Sequence, residues 1–336
     1  MLDRPKTSFK PLSFYALCEA LKENKSTLII CHARPDGDAI GSAFALKLIL
    51  QKLGIESYCV CEDEVPRRLR FLTAPIQSGS LASAIPDGFA PERVITVDTA
   101  SPSQMGKLEN FFKNGVDIMI DHHKAGEPYA DNYIDPNAAA TGEIIYRIAD
   151  ALLSAKGKPI PLSVCKCLYA AISSDTGCFK YSNVTPSTHI AAASLIKNGV
   201  DGAEINRLLF DTKSPARLHA EKVGLDNIKI CFDGRVSIVA LDCDALEALA
   251  VDPEEYDAFI DAARQVEGAE IAISVRRSSP DEAFRVSMRS MGEADVSEIC
   301  SVFGGGGHVK ASGCSVEADS IQAAVEKVLR EVFKSL

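Results

Sequence analysis

Several features that would assign the chain to other protein classes are missing from its sequence. There is no apolar segment long enough to span a bilayer and no apolar signal region behind the polar, basic first residues. The eleven cysteines include no CxxC pair, and the nearest neighbours, Cys59/Cys61 and Cys165/Cys167, have a poor spacing for zinc. Because several cysteines lie in apolar patterns, we expect buried free thiols in a reducing cytoplasm, away from membranes.

Positive charge is also scarce, since 36 lysines and arginines stand against 46 aspartates and glutamates, a formal net charge of −10. This balance argues against a protein that grips long nucleic acid, long duplexes included, through a broad basic face. A small anionic substrate held by metal ions and a few arginines remains compatible with it. If four aspartates hold two divalent cations, the bound ions alone bring the formal charge to about −6.

The 336 residues, 46% of them hydrophobic, are enough for about two domains with packed cores. Short apolar runs alternate with helical patterns in the first half of the chain. The runs occupy residues 28–31, 56–61, 93–98 and 116–121, and the helical patterns occupy residues 13–23, 39–53, 140–153 and 162–173. This alternation predicts an α/β fold whose larger domain, residues 1–190, contains a mostly parallel sheet flanked by helices.

The rest of the chain predicts a connector and a smaller domain. Residues 191–226 have helical patterns without strands, which indicates a helical connector. Further strands are predicted at residues 228–231, 236–241, 270–276 and 284–289, and helices at residues 253–266, 296–302 and 320–333. Residues 227–336 are therefore expected to form a second, mixed α/β domain.

Polar residues follow the apolar segments at the places where ligands bind in parallel α/β sheets, beyond the carboxyl ends of the strands. They are His32, Asp36 and Asp38 in the motif HARPDGD, Asp98, and the run Asp121-His122-His123. A further candidate, Asp175, follows a predominantly apolar helix. Each has an ordinary alternative when taken alone: an Asp-Gly turn at residue 36, a helix cap at residue 38 or 98, and a helix-end turn after residue 175. The repetition of the same residue types at three strand ends favours a common site.

The chemistry of this set is that of a divalent-metal centre. Adjacent histidines in extended chain point to opposite sides, so one of the pair binds metal while the other faces substrate. Two octahedral cations suit six ligands if one carboxylate, for which we choose Asp98, bridges them. The six are His32, Asp36, Asp38, Asp98, His122 and Asp175. The mixed set fits Mn²⁺ better than zinc, with Mg²⁺ and Co²⁺ as alternatives, and two cations about 3.5–4 Å apart indicate phosphoester hydrolysis.

A run of four glycines, residues 304–307, stands before His308 in the second predicted domain. Four consecutive glycines have no packing value, so the run suits a loop whose backbone N–H groups approach an anion closely. His308 then follows as a donor, with Arg285 and Arg289 on a nearby predicted strand as further candidates. The alternative is a merely flexible loop.

These motifs, together with the sequence SDTG at residues 174–177, resemble the DHH phosphoesterases in kind and order over nearly the whole chain. The glycine run resembles that of the DHH-associated C-terminal domain. The resemblance implies a two-domain enzyme with its active site in the cleft between the domains. It implies one Mn²⁺ on His32, Asp36 and Asp98, and a second on Asp38, Asp98, His122 and Asp175.

The resemblance also implies the residues that meet substrate. His123 would contact the scissile phosphate and support protonation of the leaving group, with Asp98 as the second catalytic residue. The other phosphate or the nucleotide would be held by Arg289, Gly305, Gly306, Gly307 and His308, with Arg285 close by. A homodimer is expected from the resemblance alone.

The function expected from these inferences is a cytoplasmic, Mn²⁺-dependent hydrolase of very short RNA. It would release nucleoside 5′-monophosphates and also convert 3′-phosphoadenosine-5′-phosphate (pAp) to AMP. One alternative is a phosphodiesterase for linear pApA or a cyclic dinucleotide. Others are a pyrophosphatase and, in a different class, a non-catalytic nucleotide sensor.

Overall fold

A computed structural model of the chain describes residues 9–73, 85–112, 115–124, 128–154 and 159–336. The chain forms two compact units, Met1–Thr212 and Lys213–Leu336. Each unit contains one β-sheet and its own buried apolar clusters. The predicted two-domain α/β class is thereby confirmed.

The first unit is built on a five-stranded sheet in which every neighbouring pair is parallel. Its strands are β1 (Thr27–Ile30), β2 (Ser57–Val60), β3 (Arg93–Val97), β4 (Ile118–Asp121) and β5 (Asp131–Ile134). They are ordered β2-β1-β3-β4-β5. β1, β3 and β4 are buried throughout, as short apolar runs in the middle of a parallel sheet require.

The helices of the first unit pack on one another and on this sheet. They are α1 (Phe14–Lys22), α2 (Gly37–Lys52), α3 (Glu109–Phe112), α4 (Thr141–Leu153), α5 (Leu162–Asp175), α6 (Pro186–Lys197) and α7 (Gly202–Asn206). The described residues of this unit also form 3₁₀ segments at Arg67–Leu72 and Pro102–Leu108 and a π-helical segment at Arg207–Asp211. α2 and α5 pack closely, because a Cβ on Gly41 would lie 2.8 Å from the Cβ of Ala171.

The second unit contains a mixed six-stranded sheet in which only β7 and β8 are parallel neighbours. Its strands are β6 (Ile228–Cys231), β7 (Val236–Leu241), β8 (Ile271–Arg276), β9 (Phe284–Ser290), β10 (Gly306–His308) and β11 (Ala311–Val316). Its helices are α8 (Pro215–Asp226), α9 (Cys243–Ala248), α10 (Ala258–Ala263), α11 (Val296–Ser301) and α12 (Ile321–Phe333). No helix in the described part of the chain is long and apolar enough to cross a membrane.

The predicted connector, residues 191–226, is divided between the two units. α6 and α7 belong to the first unit, while α8 packs against α10 in the second. The buried Ala220 and Val223 of α8 share an apolar cluster with Phe259, which explains why this helix joins the second core. The helix expected at residues 253–266 is also shorter, because a 3₁₀ turn at Pro253–Glu255 precedes α10.

Candidate active site

The ends of three parallel strands and of one helix bring the sequence-predicted ligands together. His32 lies just beyond β1, Asp98 just beyond β3, His122 just beyond β4, and Asp175 ends α5. Their ligand atoms form three groups, within each of which all atoms lie within 4.8 Å of one another. The groups are His32/Asp36/Asp98, Asp38/His122/Asp175 and Asp98/His122/His123.

Asp98 lies between two sides of this cluster, one formed by His32 and Asp36 and the other by His122 and Asp175. Its Oδ2 is 3.6 Å from Nε2 of His32, and its Oδ1 is 3.7 Å from Nε2 of His122. His32 Nε2 is also 3.8 Å from Oδ1 of Asp36, and His122 Nε2 is 3.3 Å from Oδ2 of Asp175. One carboxylate therefore faces an imidazole on each side with a different oxygen.

The backbone of Asp98 is in the left-handed region, with φ of 53°. Its N–H still donates to the carbonyl of Ile120, 3.0 Å away, so the strained residue is held at the carboxyl end of β3. Non-glycine residues in this conformation cost about 1–2 kcal/mol and persist where the surrounding structure holds them. The turn is what directs the carboxylate out of the strand into the cluster.

The two aspartates of the HARPDGD motif have different structural roles. Asp36, and not Asp38, is the N-cap of α2, because its Oδ1 accepts from the backbone N–H groups of Asp38 and Ala39, both at 3.0 Å. Asp38 is completely buried one residue inside the helix. Its Oδ1 accepts from Ser42 Oγ at 2.9 Å, so its carboxylate is oriented away from the solvent.

Gly37 is required by packing and not by a left-handed turn. It is the first residue of α2, and its φ is not positive. A Cβ at this position would lie 2.5 Å from both Cβ and Oγ of Ser174 near the end of α5. Glycine therefore lets α5 approach the start of α2, which brings Asp175 to the other ligands.

Buried negative charge dominates the electrostatics of the cluster. Burial raises the pKa of Asp38, and the charges of Asp98, Asp175 and Asp36 raise it further. The pKa of Asp175 is raised for the same reasons, first by burial and then by Asp36 and Asp98. In Asp98 burial acts in the same direction, but the hydrogen bond and charge of His32 outweigh it and lower the pKa.

His32 shows that the cluster favours positive charge. Burial alone would lower its pKa, but Asp36 and Asp98 outweigh this effect and raise the pKa of His32 to about 11. Divalent cations relieve the same repulsion between carboxylates through their positive charge, and their binding displaces protons from the ligands. The oxygen and imidazole donors of the cluster thus fit two such cations.

His123 is oriented by the first residue of its own motif. Its Nδ1 is 2.7 Å from Oδ1 of the buried Asp121, which also accepts from the N–H of His122 at 2.8 Å. Asp121 Oδ2 has no hydrogen-bond partner among the described residues. Burial lowers the pKa of His123, but the hydrogen bond and charge of Asp121 outweigh burial and raise the pKa to about 9.

Thr141 is a residue of the cluster that the sequence patterns did not identify. Its Oγ1 donates to Oδ1 of Asp98 at 3.1 Å, and its N–H donates to Oδ2 of Asp38 at 2.7 Å. The next N–H, that of Gly142, donates to Oδ1 of Asp38 at 2.8 Å. The available signal was that Ala140, the N-cap of α4, has no side chain able to cap a helix.

The glycine run of the second unit has more packing function than the sequence suggested. Gly304 has φ of 71°, and a Cβ on Gly305 would lie 2.2 Å from the carbonyl oxygen of Gly313. Gly307 has φ of 147° and would place a Cβ 2.6 Å from the carbonyl oxygen of Ala311. The expectation that four glycines have no packing value is therefore wrong for Gly305 and Gly307, while Gly304 is explained by its positive φ alone. Gly306 is the exception, because an added Cβ would have no atom within 4 Å and its φ is not positive.

The basic candidates lie on the strands next to this run. In the register of the sheet His308 is opposite Ala311, which is opposite Arg289, so the three share one row across β10, β11 and β9. Arg285 is four residues earlier on β9, on the same face of the sheet, and is opposite Ser315. The side chains of one row point to the same face of a sheet, so His308 and Arg289 are on a common face.

Two family models match the chain, one in each unit. The family model of the N-terminal domain of the DHH family matches residues 26–172, and that of the DHHA1 domain matches residues 237–334. The bifunctional oligoribonuclease and PAP phosphatase NrnA of Thermus thermophilus is 32% identical over 323 residues, 95% of this chain and 93% of that protein. Its namesake in Bacillus subtilis is 29% identical over 89% of this chain and 93% of that protein.

A more distant relative and a solved structure extend the comparison. The cyclic-di-AMP phosphodiesterase GdpP of Bacillus subtilis is 24% identical over 94% of this chain and only 48% of that protein. The crystal structure of an exopolyphosphatase-related protein from Bacteroides fragilis has a TM-score of 0.85 at 20% identity, with 96% of both chains covered. The two family models and the near-complete coverage of the NrnA relative agree, and the chain belongs to the DHH family, with a DHHA1 domain as its second part.

Proposed function

We propose that the chain is a metal-dependent phosphohydrolase that cleaves short oligoribonucleotides and removes the 3′-phosphate of pAp. The observation that carries the proposal is Asp98, whose two oxygens face imidazoles on opposite sides of a buried acidic cluster. This is the arrangement expected of a carboxylate that bridges two cations.

Each side of the cluster supplies the ligands for one cation. His32, Asp36 and Asp98 would hold the first, and their ligand atoms form one close group. Asp38, His122 and Asp175 form the other group and would hold the second together with Asp98. Bound there, two divalent cations lower the pKa of water and neutralise charge on a phosphoryl group. Mn²⁺ suits the mixed carboxylate and imidazole donors best, and Mg²⁺ or Co²⁺ can replace it.

His123 is proposed to act on the leaving group. Its Nδ1 is bonded to Asp121, so the ring meets substrate with Nε2. The buried carboxylate of Asp121 stabilises the protonated ring, which can then donate a proton from Nε2 to the departing oxygen. Asp121 fixes both the orientation and the charge of this donor.

The second unit is proposed to bind the remainder of the substrate. His308 and Arg289 lie in one row of the sheet beside the glycine run, and Arg285 lies four residues earlier on β9, on the same face. Gly305 and Gly307 let β10 pack against β11, and Gly306 leaves open space at an exposed backbone. These features suit a terminal phosphate or a nucleotide of a small anionic substrate.

Short RNA and pAp are the substrates that the relatives favour, because two NrnA proteins that cover nearly the whole chain are named for both activities. The net charge of −10 agrees with a small substrate and not with a long duplex. A cyclic-dinucleotide phosphodiesterase is the second candidate, since this chain also matches about half of GdpP.

The compartment proposed for the protein is the cytoplasm. All eleven cysteines are free thiols, and most are buried in the two cores. Such a set of thiols is suited to a reducing environment. A homodimer stays a prediction, which light scattering on the purified protein tests.

A side-by-side product assay tests the proposal. The protein with Mn²⁺ is offered a short RNA, pAp, linear pApA, cyclic di-AMP and pyrophosphate, and the products are separated by chromatography. We expect nucleoside 5′-monophosphates from the RNA, and AMP with inorganic phosphate from pAp. Faster hydrolysis of cyclic di-AMP would support the second candidate, and no hydrolysis of any compound would indicate a non-catalytic sensor.

A further inference from the structure

The first turn of α4 donates hydrogen bonds to two buried carboxylates of the cluster, those of Asp38 and Asp98. Ala140 provides no side-chain cap, and the N–H groups of Thr141 and Gly142 are instead taken up by Asp38, about a hundred residues earlier in the chain. The carboxylate of one helix thus caps another helix. Thr141 is completely buried, so its contacts are not shared with solvent.

The donors around Asp38 determine which of its oxygens is available. Oδ1 accepts two hydrogen bonds, from Ser42 Oγ and from the N–H of Gly142, which use both of its lone pairs. Oδ2 accepts one, from the N–H of Thr141, and keeps one lone pair. Oδ2 is also the oxygen that faces Nε2 of His122, at 4.0 Å. Asp38 is therefore set to bind a cation through one oxygen only.

Thr141 has a second contact, which acts on Asp98. Among the described residues, the hydroxyl of Thr141 is the one side-chain group, apart from the imidazoles, that hydrogen-bonds to the carboxylate of Asp98. Rotation of an aspartate carboxylate about χ2 is soft, because this torsion has no sharp staggered minima. The hydroxyl fixes Oδ1 on the side of His122 and thereby leaves Oδ2 on the side of His32.

We propose that Thr141 is a positioning residue of the metal centre: its hydroxyl holds Asp98 in the bridging orientation, while its N–H holds Asp38 for single-oxygen binding. The inference rests on the proposed function. The start of α4 would then help to hold the two cations as a pair, and not only to bind each of them. Without the hydroxyl, Asp98 can turn both oxygens toward one side, and the second cation loses a ligand.

The chain offers a matched set of variants for the test. Thr141→Val keeps the shape of the side chain and the backbone N–H but removes the hydroxyl, while Thr141→Ser keeps the hydroxyl. Thr188 provides the control, because it is also completely buried and its Oγ1 donates to a carboxylate, Glu143 Oε2, at 2.9 Å outside the cluster. Thr188→Val therefore removes the same kind of hydrogen bond from a structural position.

The measurement is a Mn²⁺ titration of each purified full-length variant, followed by calorimetry and by electron paramagnetic resonance, which detects coupled pairs of Mn²⁺ ions. Folding is checked by circular dichroism. We expect Thr141→Val to bind one of two ions about 10- to 100-fold more weakly and to lose the signal of the coupled pair. Thr141→Ser should keep both ions and the signal. Thr188→Val should unfold at a lower temperature and still bind a coupled pair.

Two results would overturn the inference. Thr141→Val with wild-type affinities and a wild-type coupled signal would show that the hydroxyl does not position Asp98. Loss of the pair in Thr141→Ser, with wild-type binding in Thr141→Val, would show that the bulk of the side chain matters and the hydroxyl does not. Failure of the proposed function is recognised separately, because the unmodified protein would then bind no Mn²⁺ pair or hydrolyse none of the offered compounds.

Discussion

Single residues in this protein act through restricted geometry more than through unusual chemistry. Asp98 is a plain carboxylate, but its positive φ carries it out of the sheet and lets its two oxygens face different imidazoles. Asp121 keeps His123 in one orientation. In the second unit, neither packing nor backbone conformation requires a glycine at position 306. A position that the fold leaves open is a position at which a ligand can approach.

Gly306→Ala is expected to leave stability unchanged and to weaken substrate binding. Nothing lies within 4 Å of the added Cβ, so the free energy of unfolding should change by no more than about 0.5 kcal/mol. The methyl group would occupy space proposed for a phosphate or nucleotide, so KM for pAp should rise several-fold at constant Mn²⁺ content. Chemical denaturation and steady-state kinetics provide the two readings.

Gly305→Ala is the matched control, since its Cβ would lie 2.4 Å from the Cβ of Cys314. It should lower the free energy of unfolding by about 1–3 kcal/mol. An unchanged KM in Gly306→Ala would remove the glycine run from the proposed substrate site.

Helix positions determine which ligands meet. α2 begins after Asp36, α4 begins at Thr141 and α5 ends at Asp175, and close contacts at glycines allow the three to approach. The sequence predicted these helices within a few residues, because apolar spacing marks their buried faces. It could not predict that Asp38 caps α4, since the bond joins residues 103 positions apart and local patterns carry no such information.

Gly41→Ala tests whether the approach of α2 and α5 is needed for metal binding. The added Cβ would lie 2.5 Å from the carbonyl oxygen of Cys167, which belongs to the backbone of α5 and cannot rotate away. We expect a loss of about 1–3 kcal/mol in the free energy of unfolding, although alanine is the better helix former. Mn²⁺ affinity, measured by calorimetry, should fall as well.

The Gly306→Ala variant controls for the replacement of a glycine as such. A Gly41→Ala protein of wild-type stability and Mn²⁺ affinity would mean that the helices repack without moving their ligands.

At the scale of the whole molecule, the family and the α/β class were predicted correctly from the motifs and their order. Three strands were missed for physical reasons. β5 is only partly buried, and its four residues, DNYI, are two polar residues followed by two apolar ones without a strand-like alternation. β10 and β11 consist largely of glycine and other small residues. Their pairing depends on neighbouring strands, so their own sequences carry little signal. The assignment of α8 to the second unit likewise depends on its packing against α10.

The net charge of −10 predicts a weak dependence of substrate binding on salt. A short RNA that meets two or three basic contacts should give a slope of log affinity against log salt of about −2 or shallower. KM for a dinucleotide and for a pentanucleotide, measured from about 50 to 300 mM salt, provides the slope. An RNA duplex of about 20 base pairs should not compete. A steep slope, or competition by the duplex, would reveal an extended basic surface.

Asp98→Asn tests whether Asp98 bridges two cations. Asparagine is nearly isosteric with aspartate and tolerates a φ of 53°, so the fold and the hydrogen bond from Thr141 should persist. Mn²⁺ stoichiometry and hydrolysis of pAp are measured on the same preparation. We expect the coupled pair of ions to be lost and kcat to fall by at least about 10³-fold, because metal-assisted chemistry is removed. A variant that still binds two coupled Mn²⁺ ions and turns over pAp at the wild-type rate would contradict this expectation.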